Sequence, residues 1–225
     1  MTTTAEDVAD LLRERILSGE IEPGQRMHQE HWSEVLNLSR TPIREALGRL
    51  ANQGLLIYEA NRGYTVRRFS AEEIGAAFEV RARLEALACA LAAARGLAPA
   101  VLDRLTACVA RGDAILSKGL LDPADLAPYR LMNVEFHETI IQHSANPFIS
   151  DFVRQCHNVP LASDRVFVWE DYKVIARSHD DHHRIAAAIG ARDAERADAL
   201  MREHVRYAGQ ILLSRLAETA ARPFV

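Results

Sequence analysis

Apolar positions fall in two regimes along the chain. Met27, Trp32, Val35, Leu36 and Leu38 recur at helical spacing, and the stretch from Ser39 to Leu56 (SRTPIREALGRLANQGLL) carries a second helix. Ile57 to Arg67 then reads as two strands about a turn at Asn61, Arg62 and Gly63. Upstream, Ile16 to Gly24 ends a first helix and turns through Pro23 and Gly24. Beyond Phe69 the pattern changes: Ser70 and Glu73 form a capping box, and from Ala71 onward almost every segment has helical period. Stops are expected at Pro99, Gly112, Asp122-Pro123, Asn146-Pro147, Pro160, Gly190 and Pro223. With no strand-like run among them, the second half predicts an all-α bundle of about six or seven helices. The fold is therefore mainly α, with a small N-terminal unit over 1–69 and a helical domain over 70–225.

The Ser39 to Leu56 segment has the form of the DNA-reading half of a helix-turn-helix. Thr41 is expected as N-cap and Pro42 as the first helical residue, where its fixed φ and missing N–H do no harm. Arg40 and Arg44 then stand at the helix N-terminus, the end that enters the major groove, where a guanidinium fork meets guanine or phosphate bidentately. Arg49 and, from the glycine-tipped wing, Arg62 and Gly63 complete the expected DNA-binding set.

Charge supports this locally. The chain carries −4 overall, yet from Arg40 to Arg68 six arginines (40, 44, 49, 62, 67, 68) stand against Glu45 and Glu59. Affinity for DNA should come from this patch and fall steeply with salt.

At 225 residues and 48% hydrophobic content the chain suits one large or two small domains with packed cores. No run of eighteen apolar residues occurs and the N-terminus is polar and acidic, so no membrane span or signal peptide is readable and a cytoplasmic protein is expected. Cys89, Cys108 and Cys156 show no C-x-x-C pairing, and the first two fall among alanines and leucines as buried thiols do.

Histidines mark a second site. Asn133 and His137 are four apart and share one face of a helix. His182 and His204 lie on the two arms of a helical hairpin that turns at Gly190, Ala191 and Arg192, with Asp193 as N-cap. At helical rise they stand roughly 12 Å and 16 Å from the turn, nearly level. His182 shares a stripe with Ile185 and Ile189, and His204 with Ala197, Leu200, Met201 and Ala208, so both face inward. His183 competes with His182 but shares a less apolar stripe with Ala186 and Gly190. Three imidazoles and an amide oxygen suit Zn²⁺, Ni²⁺ or a similar borderline divalent ion, with positions open for water or a carboxylate. Arg81 falls on the buried stripe Ile74, Phe78, Leu84, Ala88 and Leu91, and an inward arginine requires an anionic partner. Glu85, one turn on, or the carboxylate of a small-molecule effector would serve.

The PG turn, the SRTPIREAL helix and the glycine-tipped wing together resemble the winged helix-turn-helix of GntR-type bacterial transcription regulators, from about Val8 to Arg68. Trp32, Ser33 and Asn37 stand where that family more usually has leucine, alanine and glycine. From about Ile74 to Val205, EVRARLE (Glu79 to Glu85), NVEFH (Asn133 to His137), HSANPF (His143 to Phe148) and the His182 to Val205 segment resemble the all-helical FCD domain of the FadR-type branch. The resemblance implies a metal held by Asn133, His137, His182 and His204, and an effector, a small organic acid, met by Arg81. It also implies a ligand-responsive repressor rather than an enzyme. A homodimer is expected on physical grounds, since one short helix reads few base pairs and two related by a two-fold axis read a palindromic operator in double-stranded DNA. Two rivals are a metal-dependent hydrolase, with Glu135 and Glu138 as bases, and a constitutive DNA-binding protein without ligand. Against the first, the glutamates lack H-E-x-x-H spacing.

Overall fold

In the computed structural model, which describes residues 4–162 and 171–221, Thr4 opens the first helix. Its side chain accepts from Asp7 N, and Asp7 returns the bond to Thr4 N, a reciprocal cap that starts α1 (Ala5–Leu17). The chain turns through Gly24, whose φ of +90° favours glycine and where a Cβ would collide with the Arg68 guanidinium. There follow β1 (Arg26–Met27), α2 (Gln29–Leu36), α3 (Arg40–Asn52), β2 (Leu56–Glu59) and β3 (Gly63–Val66). The strands form one antiparallel sheet in the order β1-β3-β2, with Ile57 opposite Thr65 and Tyr58 opposite Tyr64. Leu12, Ile16, Ile21, Met27, Trp32, Ile43, Leu47, Leu50 and Val66 bury together beneath them.

Several local expectations shift. Met27 belongs to β1, and α2 starts only at Gln29. Asn37 ends α2 in the left-handed region, at φ 52° and ψ 47°, which is the physical reason glycine suits that position and asparagine substitutes for it. Ser39, not Thr41, is the N-cap of α3, although its side chain makes no capping bond. Thr41 is thus the second helical residue and Pro42 the third. Both lie in the first turn, where N–H groups have no carbonyl to meet inside the helix, so proline still costs nothing.

Ser70 and Glu73 form their capping box and start α4 (Ala71–Arg95). The helical domain continues with α5 (Pro99–Leu116), α6 (Pro123–His143), α7 (Pro147–Cys156), a 3₁₀ turn (Pro160–Ala162), α8 (Tyr172–Gly190) and α9 (Ala194–Ala221). Among the described residues this makes six α-helices; Pro223 lies outside them. Gly112 does not stop a helix. It is buried inside α5, where the imidazole of His179 occupies the space a Cβ would take. The main partner of α4 is α9. Gly209 of α9 lets the Phe78 ring approach to within 2.7 Å of where a Cβ would stand. Phe78, Tyr129, Met132, Phe136, Ile140, Ile149, Ile175, Ile185 and Met201 build the core.

The two apolar cores share no residue. Between them lies a polar cleft of about 670 Å³ lined by Glu6, Asp10 and Arg13 on one side and Glu138, Arg154 and Asn158 on the other. Across it Asn158 Nδ2 donates to the backbone carbonyl of Gln53 at 3.3 Å, and Gln53 is the C-cap of α3.

Candidate functional site

The exposed face of α3 follows from how the helix buries its other side. Ile43, Ala46, Leu47 and Leu50 pack inward, which turns Arg40, Thr41, Arg44 and Arg49 to solvent. Arg44 and Arg49 make no ion pair among the described residues. Arg40 pairs with Glu30 at 3.1 Å and Arg62 with Glu59 at 3.3 Å, all four side chains being exposed. Exposed pairs of this kind are worth about 0–1 kcal/mol, so phosphate readily displaces them. Gly63, with φ of +81°, and Asn61, with φ of +63°, bend the wing so that Arg62 stands at its tip.

In the helical domain α6, α8 and α9 bring His137, His182 and His204 together, with one ring nitrogen from each lying within 4.8 Å of the other two. The hairpin does hold His182 and His204 level, with ring centroids 4.8 Å apart. Asp193 caps α9 by accepting from Arg196 N at 3.0 Å, and Arg192 takes the left-handed turn position at φ 59°. Asn133 is buried one turn before His137 on α6. His183 is not part of this group; it lies half-exposed on the outer side of α8.

The donor set suits a metal. His182 is fully buried, yet neither of its ring nitrogens has a hydrogen-bond partner among the described residues. An imidazole left so would forfeit about 1–3 kcal/mol, which a coordinating ion would recover. His204 Nε2 lies 3.2 Å from His137 Nε2, and neighbouring ligands on an ion with ordinary Zn–N bonds stand about 3.0–3.4 Å apart. Burial holds the His182 imidazole well below its usual pKa, and neighbouring His204 and His137 push the same way. Burial also lowers His204, against the opposing pull of Asp181. Both are therefore neutral near pH 7 and present the lone pair a metal requires.

One carboxylate orients a ring directly: Glu85 Oε2 stands 2.7 Å from His137 Nδ1, and a carboxylate partner behind a metal-binding histidine fixes its tautomer and ring plane. Asp181 Oδ2 stands 3.7 Å from His204 Nδ1, beyond hydrogen-bond length but close enough to act through charge. Burial raises the Glu85 carboxyl, but the Arg81 guanidinium and then His137 pull it far below the ordinary carboxylate range. Arg81 meets the anionic partner one turn on: its Nε donates to Glu85 Oε1 at 2.8 Å, and Nη1 donates to the Ala162 carbonyl. Nη2 has no hydrogen bond to a described residue. The i,i+4 spacing announced Glu85, but nothing in the sequence announced Asp181, since it is adjacent to His182 and one helical stripe does not hold both.

Glu135 and Glu138 do not serve the imidazoles. Glu135 is taken by Arg104 and Arg111 of α5, and Glu138 lines the cleft between the domains.

A winged helix-turn-helix with an exposed arginine face, joined to a helical domain with a buried three-histidine centre, defines a DNA-binding regulator. Residues 4–66 match the bacterial regulatory proteins of the gntR family, and residues 76–207 match the FCD domain. The chain belongs to the GntR family of transcription regulators and carries an FCD domain. It is 30% identical over 219 residues to the HTH-type transcriptional repressor GlaR of Escherichia coli strain K12, covering 91% of this chain and 94% of that protein. It is 28% identical to the gluconate operon transcriptional repressor of Bacillus licheniformis, covering 86% and 78%. Among solved structures, E. coli McbR/YncC superposes with a TM-score of 0.77 at 22% identity, over 96% of this chain and all of that one, a likeness of fold. These relatives are transcription regulators, and no described helix is long and apolar enough to cross a membrane.

Proposed function

We propose that the chain is a cytoplasmic repressor that binds a palindromic operator as a homodimer and responds to a small carboxylate bound beside a divalent metal, Zn²⁺ or Ni²⁺. In this reading the DNA-binding unit runs through Phe69, and the ligand-binding and dimerisation unit begins at Ser70. Arg40, Thr41, Arg44 and Arg49 face the major groove, while Arg62 and Gly63 bring the wing to the backbone. His137, His182 and His204 hold the metal, with Asn133 within one helical turn to add its amide oxygen. The ion offers open positions to a carboxylate, and Arg81 gives it a guanidinium. Exposed Val80 and Leu87 on α4 and exposed Phe148 and Phe152 on α7 supply apolar surface for a second copy. The relative named for the gluconate operon supports a small organic acid as the effector class.

A continuous bonded path carries the ligand-responsive reading. It runs from His137 to Glu85, from Glu85 to Arg81, and from Arg81 to the Ala162 carbonyl in the turn after α7. Four residues earlier, in the segment that joins α7 to this turn, Asn158 donates to the carbonyl of Gln53, the residue that caps the recognition helix. A carboxylate that draws Arg81 away from Glu85 or Ala162 releases the turn, and the segment leading into it is fastened to α3. Such coupling is typically worth about 1–3 kcal/mol, or about 5- to 150-fold in affinity.

The test selects duplexes from a random pool with the metal-loaded full chain, then measures affinity for the selected DNA against a panel of small carboxylates. Palindromic enrichment, and at least one acid that shifts affinity by about 5- to 150-fold, are expected. If acids that bind leave DNA affinity unchanged, the reading fails, because linkage is reciprocal.

A further inference from the structure

On the outer side of α8, His179 and His183 are spaced one turn apart and both turn their Nε2 atoms to the same oxygen of Asp113 on α5, at 3.2 and 2.8 Å. The three donor atoms lie within 4.8 Å of one another, a group distinct from the inner imidazoles. His179 is 5% exposed, whereas Asp113 and His183 are 52% and 46% exposed, so the cluster has a buried floor and an open mouth. The floor is built. Gly112 lacks the Cβ that would collide with the His179 ring, and Tyr129 packs edge-on against that ring at 5.8 Å. His179 Nδ1 is buried with no hydrogen-bond partner among the described residues, and Nε2 is directed outward at Asp113.

We propose that Asp113, His179 and His183 form a second, exchangeable site for a borderline divalent ion such as Zn²⁺, Co²⁺ or Ni²⁺. Two imidazoles and one carboxylate are a first-row metal set, and they leave coordination positions for water. Ligands adjacent on one such ion stand about 3.0–3.4 Å apart; the two imidazole-to-Asp113 spacings, 3.2 and 2.8 Å, need adjustments of tenths of an ångström, and the two imidazole nitrogens, within 4.8 Å of each other, need a closer approach. The exposed side chains of Asp113 and His183 supply them. The open mouth makes this site weaker and faster-exchanging than the inner centre. An ion here ties α5 to the helix that also carries Asp181 and His182, with the His179 and His182 rings 5.6 Å apart. The alternative is a metal-free pair of imidazole N–H groups shared by one carboxylate, which predicts no second ion.

The chelator-stripped, untagged full chain is titrated with Co²⁺, counting equivalents by native mass spectrometry and following the d–d absorbance. Two ions per chain are expected for the wild type, the second dissociating at least tenfold more readily. His183→Ala and Asp113→Asn, both at exposed positions, should each lose that second ion and keep the first. His182→Ala should keep an ion that His183→Ala then removes. One ion that disappears only with His183→Ala would sustain this site and reject the inner centre. One ion, or two, unaffected by His183→Ala and Asp113→Asn overturns the proposal.

Discussion

The carboxylate of Glu85 stands 2.7 Å from Nδ1 of His137, with both groups buried. With Glu85 held ionised, Nδ1 carries the proton and Nε2 becomes the lone pair that His137 turns toward His204. One glutamate thus joins the imidazole centre to Arg81, and Arg81 joins it to the turn beside the DNA-binding unit.

Glu85→Gln should therefore loosen the metal without abolishing it. The loss expected for an outer partner of a ligand is about 10- to 100-fold in metal affinity. Competition with a chromophoric chelator measures it, and unchanged affinity would show that Glu85 serves only Arg81.

Asn158→Ala should uncouple the domains. It removes the bond to the Gln53 carbonyl but no contact with metal or DNA. Carboxylate and operator should each still bind with near wild-type affinity, while the factor by which one changes the other shrinks. An undiminished factor would mean that coupling travels by another route.

Arg44→Ala should cost about 1–3 kcal/mol of operator binding and relax base preference at one position. Arg62→Ala should instead weaken all sequences alike and lower the salt slope by about one. Equal losses on every sequence for Arg44→Ala would make it a phosphate contact.

The stability of the metal-free protein should fall between pH 7 and 5. Burial depresses the folded pKa of His182 and His204 below the ordinary 6.5, so as pH drops the unfolded chain takes up protons that the folded chain refuses. The stabilisation is present above 6.5 and is lost below it. Glu85, depressed from 4.5, adds a further loss only below that value. Melting temperatures across this range check the sign, and a rise toward pH 5 would contradict it.

The sequence revealed local features better than distant ones. The helix-turn-helix and the Ser70 cap were legible because cap, turn and arginines lie within a few residues of each other. The level of His182 and His204 followed from helical rise on both sides of one short hairpin. Ser39 and Thr41 could not be separated, since both are small, polar and one residue to either side of Arg40, where the helix begins. Gly112 resembled a stop because a glycine that makes room for another helix has the same composition as one that ends its own. Asp113 and His179 meet only through the packing of α5 on α8, which no spacing along the chain encodes.

The most direct test of the inner centre is the metal content of the untagged protein after desalting, compared with His182→Ala. A tightly held divalent ion, close to one per chain, is expected in the wild type, and its loss in the variant with DNA binding of the metal-free form retained. Full retention in His182→Ala, or a wild type that takes up no tight ion at saturating Zn²⁺ and Ni²⁺, would contradict it.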